Sequence, residues 1–197
     1  MDALLATSSH PLVAGVQAIE SALAEMAHSD PVFLEPASKR ALMLRLAHLE
    51  DRLAALRLRT MAVADDVAAD EGARDVAAWL THHTKGDASA HRRELALAQA
   101  LDRRWTLVQQ ALGTGGLGGA QAQVITHALD DLPDDIAPEV VAQAEAHLVA
   151  EAAHYGPREL RVLGRRILDV VAPEVSEAAE ARQLEVEERQ AQEITSL

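Results

Sequence analysis

The stretch LMLRLAHLEDRLAALRLRTMAVADDV, residues 42–67, decides the fold class. Leu42, Leu46, Leu49, Leu53, Leu56, Thr60, Val63 and Val67 recur at alternating steps of four and three, the period of a coiled-coil seam with one polar intrusion at Thr60. A continuous helix from about Ala37 to Asp70 would run ~50 Å at 1.5 Å per residue. Before it, Pro11 suits a first helical turn, and Leu12, Val16, Ile19, Leu23 and Met26 repeat until Ser29-Asp30-Pro31 stops the pattern. That first helix is too short to cover the ladder as an antiparallel partner, so part of the seam needs another one. The expectation is a homodimer whose seam is Leu42, Leu46, Leu49, Leu53, Leu56, Val63 and Val67.

Composition agrees with helices throughout. The 197 residues are 49% hydrophobic, chiefly Ala and Leu, and 2% aromatic; Ala and Leu favour helix, whereas strands draw on β-branched and aromatic residues. The absence of Cys excludes disulfides and thiolate metal sites, and the absence of Asn removes a common catalytic and base-reading side chain. Asp2 stands where a signal sequence would be basic, and no run reaches the ~18 apolar residues of a membrane span. The chain reads as soluble and cytoplasmic, with no membrane partner.

Beyond Gly72 the spacing predicts a short helix around Asp75 to His83, a turn at Lys85-Gly86-Asp87, and a second long helix striped by Leu97, Leu101, Trp105, Val108 and Leu112. Gly113 to Gly119 ends it. Three more helices follow, separated by Pro133 and by Gly156-Pro157 and closed by Pro173. The predicted architecture is all-α: a long coiled-coil-like helical hairpin over 1–71, a bundle of short helices with helix-turn-helix-like corners over 72–173, and a charged linker over 174–197 leading toward a further domain.

Four constellations could carry chemistry. Gly113 to Gly118 spells G-x-G-x-x-G, but a dinucleotide site needs a preceding strand, and here a helix precedes it; no cofactor is expected. His147, Glu151 and His154 share one face of a continuous helix and form a weak metal candidate, without the zincin spacing. His82 and His83 are adjacent and point about 100° apart, which suits a surface rather than one ion. Arg92, Arg93, Arg103 and Arg104, two pairs eleven residues apart, would gather on one side of the second long helix and could meet phosphates; Arg158, Arg161, Arg165 and Arg166 make a smaller case of the same kind. With 31 acidic against 18 basic residues and a net charge of −13, the wider field repels DNA.

From Gly72 to Pro173 a series of short motifs adds a resemblance. They are Gly72-Ala73-Arg74, Ala78-Trp79-Leu80, Ala96-x-Ala98-x-x-Leu101, Ala111-Leu112-Gly113, Gln121-Ala122, Leu132-Pro133, Ala144-Glu145-x-x-Leu148 and the run from Pro157-Arg158-Glu159-Leu160-Arg161 through Leu163-Gly164-Arg165-Arg166-Ile167-Leu168. In order and spacing these resemble the actinobacterial 13E12-repeat family, the domain of unknown function 222. Where that pattern has Ser or Thr before the Gln-Ala helix, this chain has Gly118-Gly119, a weaker cap and a looser hinge. The resemblance implies a helical N-terminal region joined to an HNH endonuclease domain. A chain without Asn cannot itself form that nuclease site, so no catalytic residue carries over. The expected role is a non-catalytic helical module that dimerises, positions a nuclease on DNA, or both. The alternative is a pure oligomerisation or protein-interaction scaffold that makes no contact with DNA.

Overall fold

The computed structural model describes residues 10–173, and all regular structure among them is helical. The expected 174–197 linker and Asp2 lie outside the described residues. The chain divides into two compact units, residues 1–45 and 46–197. In the first unit, α1 spans Pro11–Met26, starts on a proline and is capped by the His10 ring, which accepts from the Leu12 N–H at 3.2 Å. A 3-10 turn at Pro31–Phe33 follows, with Asp30 accepting from Val32 N–H, and Lys39 Nζ donates to the Val32 carbonyl at 3.1 Å. No residue of α1 is buried.

The long arm of the expected hairpin is not one helix. α2 spans Pro36–Met61 and a separate α3 spans Asp65–Asp70. Val63 and Ala64 N–H groups bond to carbonyls only three residues back, and Asp65 and Asp66 lie in the first turn of α3, where exposed amides favour negative charge. The break lets Met61 and Ala68 both enter the core. Within α2 the core-facing stripe is Ala55, Leu58 and Met61, all buried. At 100° per residue its centre lies about 160° from the centre of the leucine ladder, so the ladder occupies the opposite face.

The rest of the second unit is α4 (Val76–Thr84), α5 (Ala88–Arg103), α6 (Thr106–Thr114), α7 (Gly119–Asp130), α8 (Pro138–Glu151), α9 (Pro157–Arg165) and α10 (Ile167–Val171). The expected corners are present: Lys85 ends α4 at φ 56°, and Gly115 ends α6 at φ 79°, where glycine carries no Cβ penalty. Leu101, Leu112, Ile125, Leu129, Leu148, Leu160 and Ile167 are fully buried, each stabilising by about 1.5–3 kcal/mol relative to exposure. α9 packs tightly on α7 because position 164 is glycine; a Cβ there would lie 2.5 Å from the Ala128 Cβ.

The second long helix expected from the Leu97–Leu112 stripe is also broken, between α5 and α6. The Ala100 carbonyl accepts from both Arg104 and Trp105 N–H, at 2.9 and 3.2 Å, which tightens the end of α5. The amides exposed at the start of α6 are met from α8: the buried Glu145 carboxylate accepts from Leu107 N–H at 2.9 Å and from Val108 N–H at 3.2 Å. Trp105 turns inward, its indole N–H bonded to Asp130 at 3.0 Å. Gln121 fixes the next corner by donating to the Ala152 and Tyr155 carbonyls, both at 2.8 Å, while its Oε1 accepts from Gly118 N–H. Arg57 pairs with Glu94 and ties α2 to α5.

Glu145→Ala leaves the buried Val108 amide and the part-buried Leu107 amide without their acceptor and is expected to cost about 1–3 kcal/mol in urea unfolding, with Glu145→Gln losing about 1 kcal/mol because its oxygen still accepts. Asp75 caps α4 through a 2.7 Å bond from Ala78 N–H, and that bond, then Arg74, holds its carboxyl below the usual 3.8. A depressed pKa contributes stability above the unfolded value that is lost as pH falls through the folded one. Asp75→Ala is therefore expected to destabilise by about 1 kcal/mol at neutral pH. The gap between wild type and variant in thermal melts should close on acidification below pH 3.8.

Candidate functional site

The leucine ladder survives on α2 as a continuous stripe. Leu42, Leu46, Leu49 and Leu53 are 38%, 42%, 50% and 41% exposed, and Leu56 is half-buried. The stripe stops there as a helical feature. Val63 lies in the turn after α2, exposed, and Val67 is half-buried on α3, so these two expected seam positions are not in line with the other five. The sequence pattern continues through residues 62–64, but the backbone does not.

The four arginines do not form one cluster. Their eleven-residue spacing puts them on one side only if the helix is continuous, and α5 ends at Arg103. Arg104 sits in the break, donates to Asp130 at 3.0 Å and stacks over the Trp105 ring with its guanidinium carbon 4.7 Å from the centroid. It is engaged in holding the corner. Arg92 and Arg93 are both exposed but point to different sides: Arg92 borders a hollow with His82 and Ala88, and Arg93 lines a groove between α5, α7 and α9 that Arg161 and Arg165 also line. Arg103 is exposed at the helix end. Periodicity could not have joined Arg93 to Arg161 and Arg165; only the packing of α9 on α7 does so.

The glycine-rich loop is a helix-to-helix corner in which several amides are bonded within the chain. Gly116 N–H bonds to the Ala111 carbonyl at 2.7 Å, Gly118 N–H to Gln121, and Gly119 N–H, at the start of α7, to the Asp51 carboxylate from α2 at 2.9 Å. A carboxylate from the protein's own chain thus meets the start of α7, the end of a helix that favours an anion. Gly118 has no capping side chain, and the corner's backbone is met by Gln121 and Asp51 instead.

His147, Glu151 and His154 do not share a helical face, because α8 ends at Glu151 and His154 lies in the turn beyond it. Among the described residues no three His, Asp or Glu side chains come together to hold a metal ion. His83 instead bonds Glu71 at 2.9 Å and stacks on Trp79 with ring centroids 4.6 Å apart; His82 meets His83 edge-on. Trp79, then His83, lowers the Glu71 carboxyl below its usual value. His91, buried, shares a hydrogen bond with Thr81 at 3.0 Å and serves the α4–α5 corner. No helix among the described residues is long and apolar enough to cross a membrane.

Neither a curated protein nor a solved structure matches the chain. A family described as a domain of unknown function, DUF222, matches residues 40–197. That range is wider than the 72–173 stretch in which the motifs lie, and it takes in most of α2, including Asp51, the core-facing stripe and the leucine ladder from Leu42. The α2–α3 break, the Glu145 cap and the Gln121 corner all fall inside it, and the chain belongs to the DUF222 domains of unknown function.

Proposed function

We propose that the chain is a non-catalytic helical assembly module that pairs with a second copy through the leucine seam of α2 and so positions a DNA-cutting domain of the HNH type. One observation supports the pairing: α2 turns Ala55, Leu58 and Met61 into the core and carries Leu42 to Leu56 on the opposite face, half-exposed. A contiguous leucine stripe left in water is the surface that a second helix covers. The link to a nuclease rests on the motif resemblance alone. A scaffold without DNA contact is the second reading, favoured by the net charge of −13 and by Arg104 being held by Asp130.

Light scattering coupled to size exclusion at tens of micromolar is expected to give twice the 21.1 kDa chain mass. Leu49→Asp is expected to halve that mass while leaving the melting temperature of the helical body unchanged, because Leu49 lies away from the core. A wild-type monomer sinks the pairing, and an unfolded variant would mean that the seam belongs to the core.

With Mg²⁺, Mn²⁺, Zn²⁺ or Ni²⁺ the chain is expected to leave supercoiled plasmid intact. Nicking that disappears in His147→Ala would overturn the non-catalytic reading. Duplex DNA is expected to bind only in the ~10⁻⁴ to 10⁻⁶ M range of nonspecific contacts and to weaken steeply between ~50 and ~200 mM salt. Absence of binding at the lower salt selects the scaffold reading.

A further inference from the structure

α7 packs against both α5 and α9, and the three helices enclose a groove of about 640 Å³. That is within the roughly 300–1,000 Å³ of small-molecule sites. It exists because the facing positions are small. Ala96 and Ala100 on α5 and Ala128 on α7 leave unfilled the space that larger side chains would close, and Leu97 and Val124 make the remaining floor apolar.

The rim has the opposite character. Arg93 comes from α5, and Arg161 and Arg165 come from α9 at i and i+4, on one face of that helix. All three are exposed; Arg161 and Arg165 make no ion pair with any described residue, and Arg93 donates to the Ser89 hydroxyl at 3.3 Å and lies near enough to Asp87 to help, after that hydroxyl, to lower its carboxyl pKa. Two carboxylates share the groove with them. Asp130 is taken by Arg104 and the Trp105 indole, and Asp131 stands 3.6 Å from His127.

The groove wall also carries one threonine that differs from the others. Thr60, Thr81, Thr84 and Thr114 each turn their hydroxyl back to the carbonyl four residues earlier, as helical threonines do. Thr126, in the groove wall, is buried and its hydroxyl has no partner among the described residues. Buried polar groups rarely remain unsatisfied in a finished structure.

We propose that this groove binds a small soluble phosphate monoester with an apolar or aromatic body, its phosphate held by Arg161, Arg165 and Arg93 and its body laid on the alanine-lined floor. Guanidinium forks match phosphate oxygens in pairs, which favours this head group over a diffuse negative charge. The floor favours a ligand with a body over inorganic phosphate. Asp130 and Asp131 at the C-terminal end of α7 limit the length: a strand of successive phosphates following the groove would run onto two carboxylates. The site uses no residue of the α2 seam, so its fate is independent of the pairing proposed above.

Calorimetric titration of the full chain with phenyl phosphate is expected to show saturable one-to-one binding, tighter than that of inorganic phosphate. Arg161→Gln and Arg165→Gln, both at exposed positions, should each weaken phenyl phosphate about tenfold or more with unchanged circular dichroism. Ala96→Trp, also at an exposed position, fills the floor and should reduce phenyl phosphate to the level of inorganic phosphate. No saturable binding at millimolar phenyl phosphate overturns the proposal, as does binding that both arginine variants leave unchanged. Displacement of phenyl phosphate by a short DNA duplex, lost in the same variants, overturns it in favour of a nucleic-acid surface.

Discussion

The buried Glu145 carboxylate at the start of α6 is the constraint that the second unit is arranged around. A chain of alanine and leucine helices has strong propensity and little directional information, since Ala and Leu stripes pack in many registers at similar cost. Ending a helix inside such a body exposes amides that water cannot reach, and each costs more to strand than an ordinary hydrogen bond stabilises. Glu145 removes that cost at one place and thereby permits the α5–α6 corner. Once the corner exists, Trp105 can face inward and Arg104 can reach Asp130. Gln121 and Asp51 do the same work at the α7 end, joining it to α8 and α2. Apolar burial supplies the stability; these few polar pins select which packing is adopted.

The division between what was legible in the sequence and what was not follows the same line. Helix content and the corners at Pro31, Gly72, Lys85-Gly86-Asp87, Gly113-Gly119 and Gly156-Pro157 are readable because Gly and Pro act locally through backbone sterics. The breaks at 62–64, at 104–105 and at Arg166 carry no such residue. At 104–105 the partner of the freed amides lies elsewhere in the chain: the carboxylate that meets the start of α6 comes from 37 positions away. Reading 88–112 as one helix then misplaced the arginines, because an eleven-residue spacing has meaning only along an unbroken helix. In α2 the leucine ladder was visible, but its orientation was not. Ala55, Leu58 and Met61 form a second, shorter stripe, and spacing alone does not say which stripe the core takes.

The run from Pro157 to Leu168 shows how one motif serves two tasks. Leu160, Gly164 and Ile167 are buried against the body, with Gly164 admitting Ala128, while Arg161 and Arg165 point along the groove rim. Helical geometry demands this separation, since residues one position apart diverge by 100°. Much of the motif set that carries the family resemblance proves architectural: Gln121 and Glu145 satisfy backbone groups, and Leu101, Leu112 and Leu148 fill the core. Such residues identify a fold and leave function to the positions between them.

Net charge is a poor guide to which anions such a protein binds, because its influence depends on the length of the anion. At physiological ionic strength charges beyond about 8 Å are largely screened, and a ligand a few ångströms across responds mainly to the groups that touch it. Three arginines around an apolar floor therefore present a cationic site on a chain of net charge −13. A duplex spans many screening lengths and meets the surrounding carboxylates as well, so its affinity reflects the average that the composition describes. An acidic surface that disfavours long polyanions leaves a compact phosphate free to reach Arg161 and Arg165, so the groove proposed above would select by ligand size as much as by charge.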